Sequence, residues 1–297
     1  MIQGREEGKL LVDNLRSVAY SIFEDSKHVV IQDHNLNSVA KIISDYGNDK
    51  SLEASRELGF VDRYNTVLME LIANSINYCY WYGYCRMRPG KSSSTTMYQI
   101  LKEAMEESKT IDGHISTIVC KRFIDKLVIN RFPLLSERRQ HLMEIFSDTS
   151  GLRGFCESIL NCTSCLDALS KIVFYAPGFA SDIFLKRAQL FCMQIEKELH
   201  LFDDIEFLTV AADYKLPAIL RQFGILKYEK MLAYRVDSEE LLPKQSREEV
   251  EIRSATIVVC DKLAEMSGTS CMVVDDFLWD NKKFATKPFH LTVTTDY

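Results

Sequence analysis

The stretch Ala211-Ala212-Asp213-Tyr214-Lys215-Leu216-Pro217 places one carboxylate in a short break ahead of a proline. Proline is favoured at the first position of a helix, where its missing N–H would have no partner. It also biases the preceding residue away from helical backbone. The stretch therefore predicts a helix that begins at Pro217, with Asp213 near its positive end. Two interpretations stay open: Asp213 is a fixed acid for hydrolytic chemistry, or it only caps the helix.

The composition is that of an ordinary globular chain. Of its 297 residues, 46% are hydrophobic and 26% charged, with only 12 glycines and 6 prolines. So few glycines and prolines argue against long disordered linkers and a turn-rich all-β fold. The net charge of −6 argues against general binding to nucleic-acid polymers. No apolar run approaches the length of a membrane span. We expect one domain over residues 1–297.

The nine cysteines, an odd number in a long chain, are typical of reduced thiols in a cytoplasmic protein. Cys162 and Cys165 have the spacing of a metal or redox pair, but no second pair accompanies them. Buried structural thiols are therefore favoured over a metal site. Residues 1–7 lack the apolar segment of a signal peptide. We expect a cytoplasmic monomer that binds neither metal nor cofactor.

Apolar side chains recur at helical spacing along most of the chain. Residues 64–81 are apolar on nearly all sides, which predicts a helix buried in the centre of the protein. Asn74 and Asn77 share a face of that helix, so both amides need partners from the protein or from a ligand. Further helices are predicted over residues 11–24, 42–58, 97–107, 115–124, 136–147, 151–175, 183–202, 204–211 and 217–223.

Three other segments complete the predicted fold. Residues 82–96, rich in Gly, Ser and Thr, indicate a loop or short hairpin. Ser246 and Glu249 fit the capping box that starts a helix. Residues 289–295 alternate with β-branched side chains and predict a strand. The predicted fold class is mainly α with a small β appendage.

Several blocks, in the same order along the chain, resemble the queuosine salvage protein family, the queuosine 5′-phosphate N-glycosylases. Besides residues 212–217 they are Asn77-Tyr78-Cys79-Tyr80-Trp81, Pro133-Leu134-Leu135-Ser136-Glu137-Arg138, Lys186-Arg187-Ala188-Gln189, Gly224-Ile225-Leu226-Lys227-Tyr228, Glu249-Val250-Glu251-Ile252-Arg253, Asp275-Asp276-Phe277-Leu278-Trp279-Asp280 and Pro288-Phe289-His290. The resemblance implies a helical fold similar to helix-hairpin-helix DNA glycosylases. It also implies hydrolysis of the N-glycosidic bond of queuosine 5′-monophosphate, which releases the base queuine.

The implied substrate sets the chemistry. Cleavage of an N-glycoside builds positive charge on the ribose. A 7-deazapurine has carbon in place of N7, so protonation at that position cannot help the base to leave. A buried carboxylate beside C1′ stabilises the sugar cation and orients or deprotonates a water. The resemblance makes Asp213 the candidate for this catalytic role.

Other residues of the matching blocks are candidates for binding the sugar and phosphate. Tyr214 and Lys215 follow the catalytic candidate and either contact ribose or phosphate or are ordinary loop residues. Lys186 and Arg187 open a helix where cations oppose the dipole, which favours a nearby anion such as the 5′-phosphate. His290 is a second candidate for phosphate or ribose, with a purely structural role as the alternative.

The base is expected between two helices. Asn74, Asn77 and Trp81 would form one wall, and Asp275 with Trp279, four residues apart, the other. Where many members of the family have an Asp, this chain has Asn74. An Asp there would accept the N–H donors of a guanine-like base, so the change puts base recognition by this position in doubt. Two other functions stay open: a nucleosidase for a different nucleotide or nucleoside, and a non-catalytic nucleotide-binding protein.

Overall fold

The computed structural model describes residues 2–48, 62–82, 93–108, 115–282 and 285–297. Within these ranges the chain forms thirteen α-helices and one two-stranded sheet, so the predicted mainly α class is confirmed. The helices are α1 (Ile2–Glu24), α2 (Leu36–Gly47), α3 (Arg63–Ser75), α4 (Ser94–Ser108), α5 (Ile115–Ile129), α6 (Leu135–Phe146), α7 (Thr149–Leu160), α8 (Cys165–Tyr175), α9 (Lys186–Leu199), α10 (Lys215–Gln222), α11 (Lys230–Asp237), α12 (Arg247–Ser267) and α13 (Cys271–Asn281). None of these described helices is long and apolar enough to cross a membrane.

Buried apolar side chains form two clusters, and α1 contributes to both. The first cluster is built mainly by α3 to α9, and the second by α2, the sheet and α10 to α13. Helix α1 places Val12 and Leu15 in the first cluster and Ala19 in the second. It packs against α8 and α12. Because apolar burial is the dominant favourable term in folding, α1 joins the two halves of the structure.

The sheet does not form where the sequence predicts a strand. Strand β1 (Val29–Ile31) pairs antiparallel with β2 (Leu226–Tyr228). The predicted strand over residues 289–295 is wrong, since Leu291 alone of these residues forms a bridge, with Leu241. Side-chain contacts hold this tail instead: the hydroxyl of Tyr297 donates to Glu249 at 2.8 Å, and Asp296 pairs with Lys244 at 2.9 Å.

The buried helix predicted over residues 64–81 ends early, at Ser75. Two buried arginines donate hydrogen bonds to the backbone carbonyls at and beyond this point. Arg187 donates to the carbonyl of Ser75, and Arg138 to those of Ile76 and Tyr78. These side chains come from α9 and α6, so the apolar spacing alone could not reveal where the backbone leaves the helix.

Two further predicted helices are wrong because residues distant in sequence form hydrogen bonds with these segments. The helix predicted over 151–175 breaks at residues 161–164, where Ser164 caps α8 and donates to Asp204 at 2.6 Å. The helix predicted over 204–211 is only a 3₁₀ turn, Ile205–Phe207. Beyond it, the N–H of Thr209 donates to Gln189 at 2.9 Å and the N–H of Ala211 to Asp275 at 2.8 Å.

The remaining predictions need smaller changes. Helix α10 begins at Lys215 rather than at Pro217, and proline is still accepted because the first turn needs no N–H donor. Ser246 caps α12 as predicted, accepting from the N–H of Glu249 at 3.4 Å. Of the predicted helix over 42–58, the part up to Gly47 belongs to α2, and residues 49–61 lie outside the described residues. Most of the predicted 82–96 loop also lies outside them.

A buried arginine on α12 connects the segments that frame the centre of the molecule. The guanidinium of Arg253 donates to both carboxylate oxygens of Asp182, at 2.9 and 2.7 Å, and to the carbonyl of Ala212 at 3.0 Å. Burial alone would raise the pKa of Asp182, but the guanidinium of Arg253 lowers it below its usual value. The N–H of Lys186 donates to the same carboxylate at 2.8 Å. One charge pair thus fixes both the start of α9 and the residue before Asp213.

Replacement of Arg253 by alanine should destabilise the protein strongly. It leaves the Asp182 carboxylate buried without its cation, a loss that costs about 3–5 kcal/mol in other proteins. Urea denaturation followed by circular dichroism measures the change. Arg153→Ala, which removes an exposed i,i+4 pair with Glu157 on α7, is the control and should leave the curve nearly unchanged. Equal stability of the two variants would contradict the assigned role of Arg253.

Candidate active site

A cavity of about 410 Å³ lies between elements of the two apolar clusters. Helices α3, α4 and α9 of the first cluster line it, together with α13 and residues 211–216, which lead into α10. Its volume falls within the range of small-molecule pockets. The polar lining is Glu70, Asn77, Tyr78, Tyr80, Ser94, Thr95, Tyr98, Lys186, Gln194, Lys197, Glu198, Asp213, Tyr214, Asp275, Asp276, Trp279 and Tyr297.

Asp213 both caps a helix and lines the cavity. Its Oδ1 accepts hydrogen bonds from the N–H groups of Lys215, at 2.6 Å, and Leu216, at 3.2 Å. The side chain is only 6% exposed, and no residue of the described ranges donates to its second oxygen, Oδ2. The two interpretations drawn from the sequence are therefore compatible, because one oxygen holds the carboxylate in place while the other is left for a ligand.

A buried lysine and a second buried carboxylate accompany Asp213. The ammonium of Lys186 lies 3.4 Å from the carbonyl oxygen of Asn77. Burial lowers the pKa of Lys186, and the nearby carboxylates of Asp213 and Asp275 oppose that shift. Asp275 accepts from the N–H of Ala211 at 2.8 Å, and burial, with the negative charge of Asp276, raises its pKa to about 7. A cation between two acids can bind an anion or move a proton.

Three other predicted site residues lie at the same cavity. Asn77 lines it from the loop after α3, Tyr214 from the start of α10 and Trp279 from α13. The Tyr214 ring packs against that of Phe289, with ring centroids 4.7 Å apart. The ammonium of Lys282 lies 3.7 Å from the centroid of Trp279. Asn77, in the loop after α3, and Trp279, on α13, thus line the same cavity. That they form the walls around a base stays a prediction.

The structure places five predicted site residues outside the lining: Asn74, Trp81, Arg187, Lys215 and His290. Asn74 donates to the carbonyl and carboxylate of Glu70, at 3.0 and 2.9 Å, and accepts from Asn77 at 3.3 Å. Arg187 donates hydrogen bonds to the backbone carbonyls of Ser75 and Gly178. Both side chains hold α3 and its following loop in place rather than face the cavity.

The other three lie against aromatic groups. The Lys215 ammonium lies 3.9 Å from the centroid of the Phe289 ring, and the Trp81 ring meets that of Tyr82 edge to face. His290 shares a hydrogen bond with the Tyr297 hydroxyl at 3.2 Å, and burial lowers its pKa to about 3. A neutral, buried imidazole is poorly suited to hold a phosphate.

Several polar residues at the cavity were missed in the sequence, among them Glu70, Tyr98 and Lys197. Glu70 is the single acid within the apolar stretch that became α3, and its oxygen accepts from the Tyr98 hydroxyl at 2.7 Å. Lys197, which pairs with Asp276, lies on the face of α9 that also carries Lys186. The recurrence of lining residues at 186, 190, 194 and 197 was a readable helical signal. Nothing in the sequence connected Tyr98 with Glu70.

None of the cysteines that the structure describes lines this cavity. The eight cysteines of the described ranges are free and buried. Burial raises the pKa of Cys162 to about 11, so its thiol stays protonated near neutral pH. Within the described part of the chain, no group of three or more His, Cys, Asp or Glu side chains has the arrangement of a metal site.

The fold and the cavity define a class: a mainly helical protein with a nucleotide-sized pocket lined by buried carboxylates and lysines. Residues 180–297 match the family model described as "Queuosine salvage protein". This match includes Lys186, Asp213 and Asp275 but not α3. The resemblance drawn from the sequence blocks is confirmed, since residues 180–297 are similar to the queuosine salvage proteins.

Relatives in several organisms carry the name queuosine 5′-phosphate N-glycosylase/hydrolase. The protein of Sphaerobacter thermophilus is 29% identical over 260 residues, which cover 76% of this chain and 80% of the relative. That of Dictyostelium discoideum is 25% identical over 319 residues, 92% of this chain and 95% of the relative. That of Mus musculus is 29% identical over 195 residues, 54% of this chain and 57% of the relative.

The raised pKa of Asp275 should make stability depend on pH. In the folded protein this pKa is about 7, against a usual value of 3.8, so the folded state keeps a proton that the unfolded chain has released. Stability from the neutral carboxyl is present in full below about pH 4 and is lost as pH rises towards 7. Asp275→Asn does not titrate, so its free energy of unfolding should fall less steeply across this interval.

Urea titrations of wild type and Asp275→Asn at several pH values provide the measurement. The difference between the two profiles isolates Asp275 from Glu70, whose pKa burial also raises to about 7. Parallel profiles would show that Asp275 ionises in the folded protein as it does in the unfolded chain.

Proposed function

We propose that this protein hydrolyses the N-glycosidic bond of queuosine 5′-monophosphate and releases queuine. The observation that carries the proposal is the Asp213 carboxylate, held by two backbone N–H groups at a nucleotide-sized cavity with Lys186 and Asp275 beside it. The named activity of the relatives supports the same reaction. The protein is thus a hydrolase of N-glycosyl bonds.

Asp213 acts on the sugar. As the bond between C1′ and the base breaks, the base takes the electron pair and C1′ becomes positive. A fixed carboxylate stabilises this charge without having to reorganise. Its free oxygen also accepts a proton from the water that adds to C1′. Because Oδ1 is already bound to the backbone, Oδ2 is the atom we assign to these roles.

The departing base must receive a proton, because it leaves with the bonding electrons and a 7-deazapurine cannot be protonated at position 7 beforehand. Two groups near Asp213 can supply it. The carboxyl of Asp275, with a pKa of about 7, carries a proton in much of the population near neutral pH. The ammonium of Lys186 has a pKa lowered by burial and gives up its proton more readily than an exposed lysine. Asn77, Tyr214 and Trp279 also line the cavity, and we assign them to contacts with base and ribose.

The alternative functions are less well supported. A non-catalytic binding protein gains little from a carboxylate fixed beside an anionic nucleotide, since the two charges repel. A nucleosidase for another base remains the second candidate, and the observation that favours it is the use of the Asn74 amide inside the protein. We further propose a single-domain, cytoplasmic monomer with a fold like that of helix-hairpin-helix glycosylases, as the family resemblance implies.

Incubation with queuosine 5′-monophosphate, followed by chromatography for the free base, tests the activity. Asp213→Asn should lower turnover at least about a hundredfold, a typical loss for a positioned charge or proton acceptor. The amide still accepts from the N–H groups of Lys215 and Leu216, so folding should be kept. The control is Asp203→Asn, an exposed aspartate in the loop after α9. Near-normal turnover of Asp213→Asn would remove this residue from the mechanism.

The 5′-phosphate should be recognised by a lysine of the cavity. Lys186 and Lys197 are the lysines that line it within the described ranges. Wild type should process the monophosphate far better than the nucleoside. Replacement of the phosphate-binding lysine by alanine should lower kcat/KM for the monophosphate about ten- to a hundredfold and leave kcat/KM for the nucleoside nearly unchanged. The reason is that a charge-assisted contact is worth roughly 1.5–3 kcal/mol.

Steady-state kinetics on both substrates decide the question, with Lys227→Ala in the exposed position of β2 as the control. If the wild type uses monophosphate and nucleoside equally well, the protein has no phosphate site.

A further inference from the structure

We infer that Glu70 determines base specificity by accepting hydrogen bonds from the N–H groups of a guanine-type base. This inference rests on the proposed function for the identity of the natural ligand. Glu70 is 1% exposed and lines the cavity from the middle of the buried helix α3. Burial of a carboxylate costs free energy unless hydrogen bonds compensate it. The hydrogen bonds around Glu70 therefore indicate which of its oxygens the protein itself satisfies.

The protein satisfies only one of the two oxygens of Glu70. Oε2 accepts from the Tyr98 hydroxyl at 2.7 Å and from the Asn74 amide at 2.9 Å. No residue in the described ranges donates to Oε1 or forms an ion pair with Glu70. One oxygen is thus anchored, and the other is left at a cavity wall with acceptor capacity unused.

The neighbours of Glu70 hold its orientation and extend the acceptor surface. The Nδ2 of Asn74 donates to Glu70, and its Oδ1 accepts from the Nδ2 of Asn77 at 3.3 Å. With its Nδ2 used in this way, Asn77 has its own Oδ1 left for the cavity that it lines. The chain Tyr98–Glu70–Asn74–Asn77 therefore presents oxygen acceptors at one wall. Asn74 and Tyr98 are positioning residues in this arrangement.

The chemistry of the wall selects the ligand. The donor groups of this wall are already bonded within it, so its remaining oxygens match a ligand edge that carries N–H groups. A carboxylate strengthens such bonds. A guanine-type base offers two adjacent donors, the ring N1–H and the 2-amino group. A hypoxanthine-type base lacks the amino group, and an adenine-type base has an acceptor at N1, which would face the carboxylate. Sites built to hydrogen-bond a donor reject analogues without it strongly, because the buried acceptor is left unpaired.

Binding of free bases tests the inference without requiring catalysis. Calorimetry compares 7-deazaguanine with 7-deazahypoxanthine, which differ by the 2-amino group alone. Wild type should bind 7-deazaguanine about ten- to a hundredfold more tightly. In Glu70→Gln this ratio should fall below about threefold, because the amide presents donors as well as an acceptor. Glu106→Gln, the same substitution at an exposed position of α4, is the control and should keep the wild-type ratio.

Two further variants keep the test decisive if Glu70→Gln does not fold. Tyr98→Phe removes a donor to Oε2 but keeps the carboxylate, so a preference for 7-deazaguanine should persist. Glu70→Asp keeps the charge and should retain part of the preference. Kinetics with queuosine 5′-monophosphate add a second readout, in which Glu70→Gln should raise KM more than it lowers kcat.

The outcomes separate this inference from the proposed function. Absence of hydrolysis by wild type, together with loss of base discrimination in Glu70→Gln, would overturn the proposed reaction and support the role of Glu70. Normal hydrolysis with an unchanged discrimination ratio in Glu70→Gln would overturn the role of Glu70 alone.

Discussion

The buried charge pair between Arg253 and Asp182 is the interaction on which the site depends. Five hydrogen bonds converge on it: two between the charged groups, one from Arg253 to the carbonyl of Ala212, and two from the N–H groups of Phe184 and Lys186 to Asp182. A buried pair is tolerated when its hydrogen bonds are complete. This pair joins α12 to the segments before Lys186 and Asp213. It therefore holds both of these cavity residues in position.

A second set of buried arginines shapes the opposite wall. Arg138 and Arg187 donate to carbonyls at and beyond the end of α3, so the chain leaves the helix at Ser75 with its polar backbone satisfied. The resulting loop carries Asn77 and Tyr78 to the cavity. Polar side chains in this protein thus do two distinct jobs. Those that bond to backbone carbonyls build the frame, and those with one free oxygen, such as Asp213 and Glu70, face the ligand space.

The distribution of charge across the cavity fits a nucleotide with chemically different ends. Lys186 lies with the carboxylates of Asp213 and Asp275, the region assigned to the glycosidic bond. The acceptors of Glu70 and Asn77 lie on the wall formed by α3 and its loop. Burial raises the pKa of Asp275 to about 7, so a proton is available within the cavity near neutral pH. An acid, a cation and an acceptor wall together meet the needs of cleaving the glycoside of a poor leaving group.

The sequence by itself determined the helical class, the caps at Ser246 and Asp213, and the family resemblance, because these depend on residues close together along the chain. It also indicated Lys186 and Asp275 as site candidates through short blocks. Only the tertiary structure decided that Arg187 and His290 turn away from the cavity and that Glu70 and Lys197 face it. It likewise decided that residues 208–213 are not helical, since Gln189 and Asp275 accept from the N–H groups of Thr209 and Ala211. Such contacts join residues distant in sequence, and local spacing carries no record of them.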